Sequence, residues 1–203
     1  MAGLDVRSAA AAPRVGPNAI IRVAEALAEE HGEAMARAVF GAAGLSGWLD
    51  HPPGAMVPEA DVAALHRALI AGLSEPEARG IAASAGRRTA AYLLANRIPR
   101  LVQMILVLLP TRLAARLLLR AIGKHAWTFV GSGSFAVEPG RPVIVTITGG
   151  PMRLAGPAAA GIAAYYAATF EALFRALVHP HTSVAALRRA TEATGACAFS
   201  LIW

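Results

Sequence analysis

Cysteine is almost missing: Cys197 is the sole thiol in 203 residues. One thiol excludes an internal disulfide framework, a cysteine-based zinc finger and an iron–sulfur cluster held by this chain alone. Lysine is equally scarce, with Lys124 standing against eighteen arginines, and together with the abundance of alanine this reads as coding bias. Charged residues make up 16% of the chain and aromatics 6%, against about 25% charged in an average soluble domain. The apolar share of 56% excludes intrinsic disorder for most of the chain. The apolar stretch Leu101–Pro110 is closed by Arg112, short of the roughly 20 residues that a spanning helix needs. Met1–Pro13 carries Asp5 and no long apolar centre, so a flexible tail is expected there rather than a signal peptide. A single domain over 14–203 is expected to follow, large enough for one core. The expected location is cytoplasmic, free or peripheral to a membrane.

Acidic residues are also unevenly withheld. Residues 1–77 hold five basic and ten acidic side chains, whereas 78–203 hold fourteen basic and three acidic ones. Between Glu77 and Glu138 there is no acid and there are nine Lys or Arg. Such a half favours an anionic partner: a carboxylate ligand, a lipid surface or an acidic protein. It is equally the pattern of a solvated arginine face. Few aromatics are available to stack bases, and no reading-helix or zinc-finger pattern occurs, so no nucleic-acid partner is expected.

What is present reads first as helices. Asn18 is placed to cap a helix carrying Ile20, Val23, Ala24 and Leu27, ending near Gly32, and Glu33–Ala43 follows to Gly44. Leu45–Val57 holds Gly47, Pro52, Pro53 and Gly54 and reads as a loop. Pro58 opens a helix closed at Gly72, and Ser74 with Glu77 forms a capping box for one that runs to about Ala95. Pro99 and Pro110 then delimit two short helices, over 100–109 and 112–122. In the second, Arg112, Arg116 and Arg120 recur at every fourth position, a polar stripe opposite Leu113, Leu117 and Ile122. Trp127–Val130, Ser134–Val137 and Pro142–Thr148 are β-branched or aromatic runs between Gly and Pro turns and are expected as strands. Gly161–Val178 reads as a helix stopped by His179-Pro180. Propensity favours helix for Val184–Ala193 and strand for Ala198–Trp203. Helices first and antiparallel strands later give an α+β fold, helices packed on an antiparallel sheet.

Motifs with defined chemistry are few. Gly131-Ser132-Gly133 is followed by a strand-like run and Pro139, whereas a dinucleotide loop must open a helix. Walker, His-Glu-x-x-His and Gly-x-Ser-x-Gly patterns do not occur. His179 and His181 have no nearby acid, Cys197 has no local base, and no metal held by protein ligands is expected. The sharper cluster is His125-Ala126-Trp127-Thr128-Phe129-Val130-Gly131-Ser132-Gly133. Its aromatics offer flat apolar plates, its glycines admit a close backbone approach, and a neutral imidazole suits a magnesium ion held in a macrocycle or a ring carbonyl. A core histidine beside a packed tryptophan fits the same residues. A second cluster, Tyr92 with Arg97 and Arg100, could bind carboxylates bidentately or simply favour a helix C-terminus.

Four strings together resemble one family: Gly16-Pro17-Asn18-Ala19-Ile20, Tyr92-Leu93-Leu94-Ala95-Asn96-Arg97-Ile98-Pro99, His125 through Gly133, and Tyr165-Tyr166-Ala167-Ala168-Thr169-Phe170-Glu171-Ala172-Leu173-Phe174. They are similar to the bacteriochlorophyll-biosynthesis 4-vinyl reductase family (BchJ) from about residue 14 onward. The resemblance implies a role in making bacteriochlorophyll, at the step that reduces the 8-vinyl group of a divinyl precursor. It also implies a ligand-binding domain shared by bacterial sensors and Golgi transport-particle subunits, with an apolar cavity and a homodimer. It further implies that Thr182–Trp203 is a hairpin, against local propensity, and that reading is adopted. The chain departs from the family at its cysteines: Thr191 takes the first C-terminal position, and Ala158–Ala164 lacks a further one. A thiolate metal site or thiol relay is therefore not expected.

Two functions follow. As a carrier or accessory factor, the chain would hold a magnesium tetrapyrrole precursor of the divinyl protochlorophyllide type and present it to bacteriochlorophyll biosynthetic enzymes. As the 8-vinyl reductase itself, it would need NADPH or another external hydride donor, since no nucleotide, flavin or cluster motif is legible. The carrier reading needs only a cavity, plates and cations, and is preferred. The expected pigment-binding residues are His125, Trp127, Phe129, Tyr92, Arg97, Arg100, Tyr165 and Tyr166. Arg112, Arg116 and Arg120 are expected to contact an anionic membrane or a partner. No catalytic residue is identifiable. The pigment reading requires an apolar hollow wide enough for a planar macrocycle.

Overall fold

The computed structural model describes residues 12–187 and 195–203; Thr191 and residues 1–11 of the expected tail lie outside them. The chain starts with β1 (Arg14–Val15), which pairs with β2 (Val57–Pro58) in a small antiparallel ladder. Between them run α1 (Asn18–Ala42) and a single turn, α2 (Gly47–Asp50). Element α1 is broken at Gly32, whose φ of 83° and ψ of 162° are non-helical, so it consists of the two expected helices meeting at a kink. Pro17, not Asn18, is the residue before the first turn, and Asn18 Oδ1 instead accepts from Arg22 Nε at 3.2 Å.

Helices α3 (Glu59–Gly72) and α4 (Glu75–Asn96) follow. The capping box at α4 is present: Ser74 accepts from the Glu77 amide, and the Glu77 carboxylate accepts from the Ser74 amide at 3.0 Å. Two short helices, α5 (Arg100–Leu108) and α6 (Thr111–Lys124), are separated by Leu109-Pro110. The α4–α5 corner bends by 107°, and no single helix among the described residues is long and apolar enough to cross a membrane.

Trp127–Val130 corrects the sequence reading. These residues form a helical turn, α7, and not a strand. Its amides close onto His125 and Ala126 carbonyls, Thr128 Oγ1 donates to the His125 carbonyl at 2.7 Å, and Gly131 at φ 59° ends the turn. β-Branched and aromatic residues favour a strand only where a neighbouring strand is in reach; here local hydrogen bonds decide.

The sheet is formed by β3 (Ser134–Glu138), β4 (Val143–Thr148), β5 (Ser183–Leu187) and β6 (Ala196–Ile202), in the order β3-β4-β6-β5, antiparallel throughout. The hairpin implied by the resemblance is therefore present, with Val184 opposite Leu201. Strand β4 alternates: Val143, Val145 and Ile147 are buried, whereas Ile144, Thr146 and Thr148 are partly exposed. The register places Leu201, Phe199 and Cys197 beside the buried three, which makes one continuous apolar face. After β4, α8 (Gly150–Ala155) and a short 3-10 turn lead into α9 (Ala159–Leu177).

Helix α9 is the axis of the molecule. It packs along α4 on one side and against β5 and β6 on the other, and buries Ile162, Tyr165, Tyr166, Phe170, Leu173, Phe174 and Leu177. Helices α1 and α3 close the far side of α4. The architecture is the expected α+β: a helical layer on an antiparallel sheet.

Candidate functional site

Among the described residues, the interior is packed where α9 meets the sheet. Between α9 and the sheet it is filled by rings: Phe170 contacts Phe129, Phe135, Tyr166 and Phe199 at centroid separations of 5.7–6.4 Å. A large open volume adjoins this cluster at Phe135. A groove of about 1670 Å³ runs between α6 and the β3–β4 hairpin, and reaches the end of β6 and the C-terminal Trp203.

The groove has two chemically distinct walls. Ala115, Leu119, Val143 and Leu201 are buried residues that form an apolar floor. Arg112, Arg116 and Arg120 stand along α6 and Arg141 stands on the hairpin, so the lining carries four guanidinium groups and, among the described residues, no Asp or Glu side chain. The i, i+4 spacing lines the three α6 arginines up on the groove side, one turn apart. Phe135, Trp203 and His179 complete the rim. Trp203 is stacked on Phe174, with ring centroids 5.8 Å apart and planes at 29°, so the indole is held rather than free to swing. His179 follows α9; its Nδ1 accepts from the His181 amide at 3.3 Å. Ligand pockets of roughly 300–1,000 Å³ hold drug-sized molecules, and the groove exceeds that range.

The residues expected from sequence to bind pigment are not gathered here. His125 is exposed at the end of α6, and Trp127 is 60% exposed on α7. Arg97 and Arg100 are exposed at the α4–α5 corner, and half-buried Tyr92 lies under the Arg22 guanidinium, 5.0 Å from its ring centroid. Tyr165 and Tyr166 are buried. The Tyr165 hydroxyl is hydrogen-bonded to Thr89 Oγ1 at 2.7 Å, and the Tyr166 hydroxyl donates to the Phe129 carbonyl at 2.7 Å. Phe129 joins the packed ring cluster. None of these eight lines the groove, whereas Arg112, Arg116 and Arg120 do. Sequence reasoning missed Arg141, His179, Phe135 and Trp203, because strands and chain ends remote in sequence meet only once the sheet is built.

The glycine-rich string instead grips a carboxylate of this chain. Glu59, the first residue of α3, is buried; its Oε2 accepts from the Ser132 amide and its Oε1 from the Ser132 hydroxyl, each at 2.7 Å. A Cβ on Gly131 would collide with this carboxylate, and the positive φ there favours glycine independently. The close approach that the motif permits is thus to Glu59. It ties α7 and the start of the sheet to the first turn of α3, where the helix dipole also favours an acid.

Burial perturbs several other groups. It drives the His66 imidazole down to about 4 and the Tyr165 hydroxyl up to about 12, and it raises Tyr166 further. The Cys197 thiol is pushed up to about 11 by burial, which leaves it protonated and poorly nucleophilic at neutral pH. Among the described residues no cluster of three or more His, Cys, Asp or Glu could hold a metal.

No family model matches the chain. Two curated proteins do. The bacteriochlorophyll synthase 23 kDa chain of Cereibacter sphaeroides is 39% identical over 193 residues, covering 95% of this chain and 92% of that protein. The protein of the same name from Rhodobacter capsulatus is 41% identical over 189 residues, 93% of this chain and 87% of its own length. Identity at that level along nearly the whole chain, in agreement with the four sequence strings, makes this protein a member of the bacteriochlorophyll synthase 23 kDa chain family.

Proposed function

We propose that this chain binds a tetrapyrrole precursor in the groove between α6 and the β3–β4 hairpin and acts as a carrier or accessory factor at the 8-vinyl reduction stage. A role in bacteriochlorophyll biosynthesis follows from its family. The observation that carries the finer reading is the pairing of an apolar floor with four arginines in one groove. A magnesium chlorophyllide precursor is a flat apolar ring with a free propionate on its edge. Its face would lie on Ala115, Leu119, Val143 and Leu201, and its propionate would reach Arg112, Arg116, Arg120 or Arg141. Guanidinium groups bind carboxylates through two parallel hydrogen bonds, stronger than neutral ones. His179 stands at the rim, where a neutral imidazole could meet the magnesium of the ligand.

The chain's own residues bind and orient in this reading, and a separate enzyme delivers hydride and proton to the vinyl group. Titration of the purified protein with divinyl protochlorophyllide, with and without NADPH, tests it. The expected result is a shifted Soret band and no conversion of vinyl to ethyl in either arm. Arg116→Gln with Arg120→Gln should weaken binding about tenfold, roughly the worth of one charge-assisted hydrogen bond. Conversion by the pure protein with NADPH would make it the reductase. An unchanged spectrum would remove the pigment.

A further inference from the structure

Helix α5 exposes nearly everything it carries. Leu101, Val102, Met104, Ile105, Val107 and Leu108 are all solvent-facing, with Leu108 at 83% and Leu101 at 66%. At 100° per residue these six side chains sweep roughly 220° of the helix circumference. Only a narrow strip faces the protein. Leu106 is buried there, and Gln103 donates from Nε2 to the Leu94 and Ile98 carbonyls at 2.6 and 2.7 Å, which pins the corner with α4. Two more exposed leucines, Leu113 and Leu117, lie on α6, which packs against α5.

We infer that α5 is a membrane-insertion element that lies in the interface of an anionic bilayer. Three features select lipid over a protein surface. An apolar arc of that breadth suits a medium that surrounds a helix, whereas a partner's surface covers a face. Arg97 and Arg100 stand at the start of α5, and the nearest acids in the sequence are Glu77 and Glu138, so the patch is cationic at its border and apolar at its centre. Residues 78–137 hold no acid, so the same patch on a second copy, docked two-fold, would offer those arginines no counter-charge. At nine residues and 1.5 Å per residue, α5 is about 13 Å long; it can lie in a bilayer surface but cannot cross a core of about 30 Å. From sequence, Arg112, Arg116 and Arg120 are expected to contact an anionic membrane or a partner; they line the groove, and the apolar surface lies on the helix beside them. The inference is independent of the pigment reading.

Flotation of the full-length protein with pigment-free vesicles tests it, comparing phosphatidylglycerol mixed with phosphatidylcholine against phosphatidylcholine alone. Strong binding to the anionic vesicles is expected. Met104→Asp with Leu108→Asp should weaken it at least about tenfold, with circular dichroism and melting unchanged because both side chains are exposed. Arg97→Gln with Arg100→Gln should weaken binding about tenfold on anionic vesicles only. Leu108→Trp should add a blue-shifted emission that lipids brominated on their acyl chains quench. Failure of the wild type to float, or equal flotation of the double aspartate variant, would overturn the inference. So would an oligomer in lipid-free solution that the double aspartate variant converts to monomer, since the patch would then be a protein interface.

Discussion

His66 faces the first turns of α9 from α3, with its ring close under Gly161. It is fully buried, and burial alone holds its proton affinity down, to about 4 against an ordinary 6.5. The unfolded chain therefore binds a proton between those two values that the native chain refuses, and stability rises with pH across that window. Above about pH 6.5 the group contributes no pH dependence; below it, on the order of 3 kcal/mol is lost by pH 4. Urea melts at pH 7, 5.5 and 4.5 should show this slope. His66→Gln should be less stable at pH 7 yet flatter between 6.5 and 4.5; an equal slope would assign the acid lability elsewhere. Such a histidine is not recognisable in sequence. Its spacing with Val62, Leu65 and Leu69 marks a helix face, and only the packing of α9 shows that the face is sealed. The same limit holds for His125, whose exposure shows only once α6 and α7 are in place.

At the scale of elements, helix α4 meets α9 at Gly86. A Cβ there would overlap the Tyr165 carbonyl oxygen and press on Ala168 and Thr169. The approach is fastened by Thr169 Oγ1, which lies 3.1 Å from the Gly86 carbonyl and 2.8 Å from that of Tyr165. Gly86→Ala improves helix propensity by about 1 kcal/mol, but it forces the central helix pair apart, and overpacking of this kind costs roughly 1–3 kcal/mol. A net loss of stability is expected, read as a lower urea midpoint with an unchanged slope. Gly80, on the same helix with open space at its Cβ position, should show the opposite sign as Gly80→Ala. Element type was legible wherever caps and prolines punctuate the chain, as in α3, α4, α5 and α6. It was not legible for α7 and α8, where one turn is held by glycine geometry, nor for β5, whose alanine-rich residues favour helix until β6 pairs with them. Gly149-Gly150-Pro151 ends β4 and opens α8 at once, with the proline in the first turn of that helix.

The whole molecule sorts charge along its length, and the fold gives that sorting a direction. The acid-free segment from Arg79 to Lys124 supplies the border of α5 and one wall of the groove, and β4 and β6 supply part of its floor. That imbalance was visible in the sequence; the groove was not, since Arg120, Arg141 and Trp203 share no local pattern and come together only across the sheet edge. If arginines read the edge of a macrocycle while the floor reads its face, the two contributions separate chemically. Esterifying the carboxylates removes the first and leaves the second. A porphyrin with free propionates should therefore bind more tightly than its dimethyl ester, by about fivefold to tenfold at low salt, the range for a few partly exposed guanidinium–carboxylate pairs. Salt shortens the Debye length from about 10 Å at 0.1 M to 3 Å at 1 M, so the advantage of the acid should shrink across that range while the affinity of the ester stays level or rises. Isothermal titration of both ligands at the two salt levels measures this directly. Equal affinity at low salt, or a salt dependence shared by acid and ester alike, would mean that the arginines of α6 do not face the bound ring.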